Sequence, residues 1–181
     1  DHQLNALKTA VFMIDTLHSF NERHSDSQLN IGVGLNTGEM VVGNVGSRSR
    51  FDYTVLGDNV NLSSRVEGLT KKYGIQVLAT EATIKGITDP DLIFRLIDQV
   101  IVKGKSKPIR LYQPLKNTEE NVRLKKDYEA AFALYEKSDF AGAKKIWSSL
   151  PSDPTSQMML DRMVELKNTK DWKGVWEWHE K

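Results

Sequence analysis

Apolar residues recur at three- and four-residue steps from Leu4 through Leu7, Val11, Ile14 and Leu17 to Phe20, which predicts one helix over residues 2–23. A polar cluster from Asn21 to Asp26 stops it. The period then falls to two. Leu29, Ile31, Val33 and Leu35 face one way, with Asn30, Gly32 and Gly34 between them. Asn36-Thr37-Gly38 is a turn signal and Met40 to Val45 reads as a returning strand, so Leu29–Val45 is expected to form a hairpin. Gly43 and Gly46 imply close approach of another backbone or a ligand there.

Phe51–Leu56 reads as a short strand ended by Gly57. Asp58 is expected to cap a helix running to Tyr73, with Leu62, Val66, Leu69 and Tyr73 as its buried stripe and Gly74 as its C-cap. Strands follow at Gln76–Ala79, Phe94–Val102 and Ile109–Leu115, with a short helix at Glu81–Lys85. The last two strands flank a basic loop, Lys103 to Pro108. The order α-β-β-β-α-β-α-β-β predicts an α+β sandwich.

From Asn117 the pattern is helical throughout. Val122–Lys137 and Phe140–Leu150 form a helix pair whose Tyr128, Ala131, Leu134, Tyr135, Phe140, Ala143, Ile146 and Trp147 look like one tetratricopeptide-like unit. One such unit cannot bury its own face, so it is expected to pack on the main domain. A third helix covers residues 155–167. Trp172, Val175, Trp176 and Trp178 form an aromatic end-piece that needs a docking surface. The chain divides on this reading into residues 1–116 and a helical extension, 117–181.

The 181 residues carry a net charge of +1, which gives no sign of a nucleic-acid binder. There is no cysteine, so disulfides, thiolate zinc sites and cysteine nucleophiles are excluded together. No apolar run approaches the roughly 18 residues of a membrane span and no signal peptide is visible, so a cytoplasmic location is expected. A start at Asp1, inside a helical pattern and without methionine, reads as a trimmed fragment.

The candidate chemistry lies between Ile31 and Gly74. Asn61 and Arg65 stand four residues apart on one helical face, where an amide and a guanidinium can grip a phosphorylated ligand from a rigid element. On spacing alone they read more readily as a helix-start hydrogen bonder and a solvated or salt-bridged arginine. Lys103, Lys105 and Lys107 likewise fit an ordinary solvated loop. The four histidines have no ligand-like spacing. Gly43 and Gly46 are not at a strand-to-helix turn, which argues against a P-loop.

The run GDNVNLSSRVEGL, preceded by YTVLG and followed by VKGKSKP, resembles the catalytic domain of class III nucleotidyl cyclases, most closely the bacterial adenylate cyclases. The resemblance covers Asp1 to Leu115, and the tail from Asp127 to Val175 is similar to the C-terminal extension of many bacterial members. It implies a ferredoxin-like cyclase sandwich and conversion of ATP to 3′,5′-cyclic AMP and pyrophosphate. It also implies a homodimer with sites between the two copies and two divalent ions, Mg²⁺ or Mn²⁺.

Carried over residue by residue, Asn61 matches the ribose-orienting asparagine and Arg65 the arginine that stabilises the α-phosphoryl transition state. Thr54 falls at the purine-reading position, Lys103 at the lysine on the terminal phosphates, and Arg50 (or Arg48) at the arginine facing the triphosphate. The family's metal-binding aspartates belong to strands before the first helix of this chain. Asp52 and Asp58 match positions with other roles. The fragment is therefore expected to be inactive by itself. The alternatives are a non-catalytic cyclase-like module that dimerises or regulates, and a guanylate cyclase.

Overall fold

A computed structural model describes residues 1–47, 50–166 and 172–179 of the chain. Its centre is a five-stranded sheet of order β1-β4-β6-β5-β7, made from Val33–Leu35, Val77–Thr80, Ile109–Lys116, Leu92–Val102 and Trp176–Trp178 respectively. The outer pairs, β1 with β4 and β5 with β7, are parallel, and the inner pairs are antiparallel. A separate antiparallel pair joins β2, Val41–Ser47, to β3, Arg50–Leu56.

Successive residues of β4 show how the sheet is sandwiched. Leu78 joins the core built on α2 (Asp58–Tyr73), and Ala79 joins Leu7 of α1 (His2–Arg23) and Leu92. Strand geometry sends neighbouring side chains to opposite faces, so the two helices cover opposite faces. The α2 core holds the predicted stripe Leu62, Val66, Leu69 and Tyr73 against Ile97, Val100 and Leu111. A short helix, α3 (Glu81–Ile84), follows β4 as expected.

The expected Leu29–Val45 hairpin does not form: β1 pairs with β4, and β2 pairs with β3, Gly43 standing opposite Thr54. Alternation announces strands without naming their neighbours. The turn signal is used differently here. Asn36 donates to the Asn59 carbonyl at 3.1 Å and accepts from Thr80 Oγ1 at 2.8 Å, and Asn59 donates to the Glu39 carbonyl at 2.9 Å. These bonds tie residues 36–39 to the start of α2 instead of folding them back on β1. The close approach expected at Gly43 is also elsewhere. A Cβ on Gly43 would meet nothing within 4 Å, whereas one on Gly34 would collide with the backbone of Ser63 and Glu67. Asp58 is the first residue of α2, not its cap; that position belongs to Gly57. Gly74 does take the left-handed C-cap conformation, with φ 66°.

The extension folds as α4 (Glu119–Glu136), α5 (Phe140–Trp147) and α6 (Pro154–Leu166) around Tyr128, Phe132, Tyr135, Trp147 and Met159. Side-chain caps at Thr118 and Asp139 open α4 and α5. Its expected packing on the sheet is observed. Tyr128 Oη donates to the Ile97 carbonyl at 2.8 Å, and the Leu96 amide donates to Glu129 at 2.8 Å, beside a bulge in β5 between Leu96 and Asp98. Both bonds satisfy backbone groups on the outer edge of β5, which would otherwise stay open.

Two buried ion pairs complete this seam. Arg95 of β5 donates to Asp153, ahead of α6, at 2.9 Å, and Arg162 of α6 donates to Asp98 of β5. The Arg95 fork also reaches Gln113 Oε1, and Asp153 accepts from the Ser156 amide and hydroxyl. Pairs this well hydrogen-bonded offset their desolvation, and removing one partner costs about 3–5 kcal/mol. The aromatic end-piece docks here too. Trp176 packs on the cores, and Trp172 donates to the Tyr135 carbonyl at 3.1 Å. Its strand β7 was not anticipated from the sequence. No helix among the described residues is long and apolar enough to cross a membrane.

Candidate active site

The buried stripe of α2 fixes its rotation on the sheet. A second row on the same helix, Asn61, Arg65, Gly68 and Lys72, then faces the end of β5. Together with Lys103 and Trp178 this row lines a cleft of about 410 Å³ whose floor includes Leu69 and Val102. Arg65, Lys72 and Lys103 bring three positive charges to it, against the single carboxylate of Glu67. The balance favours an anionic ligand.

Arg65 is the most constrained of these groups. Its Nη1 is buried and has no hydrogen-bond partner among the described residues. The loop after β5 runs directly beneath the guanidinium: a Cβ on Gly104, whose φ is 76°, would lie 3.4 Å from Nη2. That positive φ favours glycine. A buried donor left open normally costs free energy, so its persistence calls for an explanation such as a ligand. Asn61 and Lys103 are exposed at the mouth of the cleft. Lys105 pairs instead with Asp58 in the first turn of α2. That bond, with help from the nearby Arg65 charge, holds the Asp58 carboxyl below its ordinary range.

The structure thus brings Asn61, Arg65 and Lys103 together. Thr54 is half-buried in the β2–β3 hairpin and does not line the cleft. The Arg50 side chain and all of Arg48 lie outside the described residues. Lys72 and Trp178 were missed from the sequence. Lys72 was legible, since it follows Arg65 by seven residues on the same helical face. Trp178 carried no such signal, because its place depends on pairing with a strand far away in the chain.

Among the described residues no three histidine, aspartate or glutamate side chains converge as a metal-binding group. The residues present therefore do not fit the two divalent ions that the resemblance implies.

The profile of the adenylate and guanylate cyclase catalytic domain matches residues 1–115. An adenylate cyclase of Anabaena cylindrica is 40% identical over 117 residues, covering 60% of this chain and 23% of its own length. The terminal-differentiation-specific adenylate cyclase of Dictyostelium discoideum is 31% identical over 174 residues, covering 90% of this chain and 8% of its own length. That second match is long enough to reach into the helical extension. The chain spans less than a quarter of the length of either relative. Among solved structures, the guanylyl cyclase Cya2 superimposes with a TM-score of 0.53 at 31% identity, covering 65% of this chain and 61% of that one. On the profile match and these likenesses together, the chain belongs to the adenylate and guanylate cyclase catalytic domain family.

Proposed function

We propose that the full-length protein containing this chain is an adenylate cyclase, and that residues 1–116 supply the ribose- and phosphate-binding half of its site. The observation that carries this reading is the buried, unpartnered Nη1 of Arg65 in a cleft it shares with Asn61 and Lys103. In the reaction the ribose 3′-oxygen bonds to the α-phosphorus, the bond to the bridging oxygen breaks, pyrophosphate leaves with the electron pair, and the hydroxyl proton passes to solvent. Asn61 orients the ribose. Arg65 meets the charge that grows on the α-phosphoryl oxygens, where a fixed guanidinium in a partly enclosed cleft acts more strongly than in water. Lys103, with Arg50, holds the terminal phosphates, and Thr54 reads the adenine edge.

The homodimer that this reading requires has a candidate contact in the β2–β3 hairpin, which exposes Val41, Val42, Tyr53 and Leu56. Residues 117–181 act as an extension that braces the sheet. The test is Arg65→Ala in the full-length protein, assayed with ATP and GTP side by side. Turnover of ATP should fall about 10²–10³-fold with modest change in nucleotide affinity. Near-normal turnover defeats the assignment, and a preference for GTP makes the protein a guanylate cyclase.

A second reading is favoured by the lack of converging carboxylates among the described residues: a non-catalytic module that pairs with a complete cyclase. Full-length protein that makes no cyclic nucleotide alone, with Mg²⁺ or Mn²⁺, yet does so beside a complete cyclase, selects that reading.

A further inference from the structure

The end of β5 is held in an unusual way. Its partner β6 accompanies it only as far as Val100, opposite Ile109. Ile101 and Val102, the two residues before Lys103, pair with Glu177 and Trp178 of β7. Among the described residues, β7 is therefore the strand that fixes the backbone leading into Lys103 and Gly104.

Trp178 ties that strand to the other wall of the cleft. Its indole N–H donates to Tyr73 Oη at 3.2 Å, and the two rings meet edge to face with centroids 6.0 Å apart. Tyr73 is the last residue of α2, the helix that carries Asn61 and Arg65. Its hydroxyl donates in turn to Asp98 of β5, which also accepts from Arg162 of the extension. The same indole borders the cleft itself. One side chain thus bridges the helix bearing Arg65 and the strand that leads into Lys103.

We propose that Trp178 is a positioning residue for the cyclase site: by pairing β7 with the end of β5 and bonding to Tyr73, it sets the spacing between Arg65 and Lys103. The C-terminal extension is then part of the catalytic geometry and not only a brace. This proposal rests on the cyclase reading above. A phosphate-binding group moved by about 1 Å can lower turnover by up to about a hundredfold, so a loosened Lys103 should register in kcat even where the fold survives. Trp178 is half-buried and packs on the α2 core, so a thermal midpoint must accompany the kinetics to separate lost positioning from lost stability.

The experiment is a double-mutant cycle of Trp178→Ala and Lys103→Ala in the full-length protein, with kcat and KM for ATP and the thermal midpoint recorded for each variant. Trp178→Ala should lower kcat about tenfold to a hundredfold. In the Lys103→Ala background the same change should have little further effect, because the group it positions is gone. Wild-type turnover in Trp178→Ala, or losses that simply multiply, overturns the proposal. If Trp178→Ala does not fold, Trp178→Phe, which keeps the ring and removes only the N–H to Tyr73, runs through the same cycle against the same criterion. An inert Lys103→Ala identifies the site reading as the failure, and the proposal falls with it.

Discussion

At the seam between β5 and α6, two arginine–carboxylate pairs lie buried among aromatic rings, whereas the β2–β3 hairpin holds Val41 70% and Tyr53 77% exposed. Both regions are rich in apolar and aromatic residues. In the seam every buried charge finds its partner inside the chain, and the guanidinium planes of Arg95 and Arg162 lie over Tyr128 and Trp176 at 4.8 and 4.6 Å. In the hairpin the strands satisfy only each other. Folding stability should therefore reside in the seam, and association in the hairpin, because an exposed apolar ribbon of this kind marks a contact with another molecule.

The comparison breaks most visibly at Arg95. Arg95→Met leaves Asp153 buried without its cation and should cost about 3–5 kcal/mol in urea unfolding. A loss under about 1 kcal/mol would mean the seam is not where stability lies. The two glycines of the early strands give a sharper pairing. Gly34→Ala forces β1 away from the backbone of α2 and should cost about 1–3 kcal/mol, while Gly43→Ala, in open space within the hairpin, should change stability by about 0.5 kcal/mol or less.

Alkaline pH probes the seam again, without mutation. Burial pushes the hydroxyls of Tyr73, Tyr128 and Tyr135 above their ordinary value, with the Asp98 carboxylate adding to the effect at each. Their folded-state values exceed those of the unfolded chain. The stability they confer is thus complete below about pH 10 and is lost as pH rises beyond it, at about 1.4 kcal/mol per pH unit for each tyrosine. The tyrosinate absorbance of these three buried residues should appear with unfolding and not before it. The smallest effect belongs to the hairpin. Tyr53→Ser should leave the unfolding free energy within about 0.5 kcal/mol of wild type while weakening self-association in sedimentation. Unchanged association would remove the hairpin from the proposed dimer contact.

Legibility in the sequence followed locality. The stripe of α2, its Gly74 cap, and the run of helices and strands from Asp1 to Leu115 are encoded within a few turns of chain, and they were readable. The convergence of Asn61 and Arg65 was readable for the same reason. The partner of β2 was not, because Asn36 and Gly38 look like turn residues and serve instead to seat α2 through Asn59. Lys103 lines the same cleft as these two residues. Strand β7 and the wall that Trp178 forms escaped notice, since a parallel partner far away in sequence leaves no periodic trace around Trp176-Glu177-Trp178.

The parallel pairing of β7 with β5 also has a consequence for synthesis. Lys103 emerges from the ribosome well before Trp178, so α2 and most of the sheet can condense while the lysine's own strand end still has nothing to rest on. Among the residues that line this cleft, Trp178 is the last to be translated, so that wall of the cleft cannot form until residues 176–178 have been made.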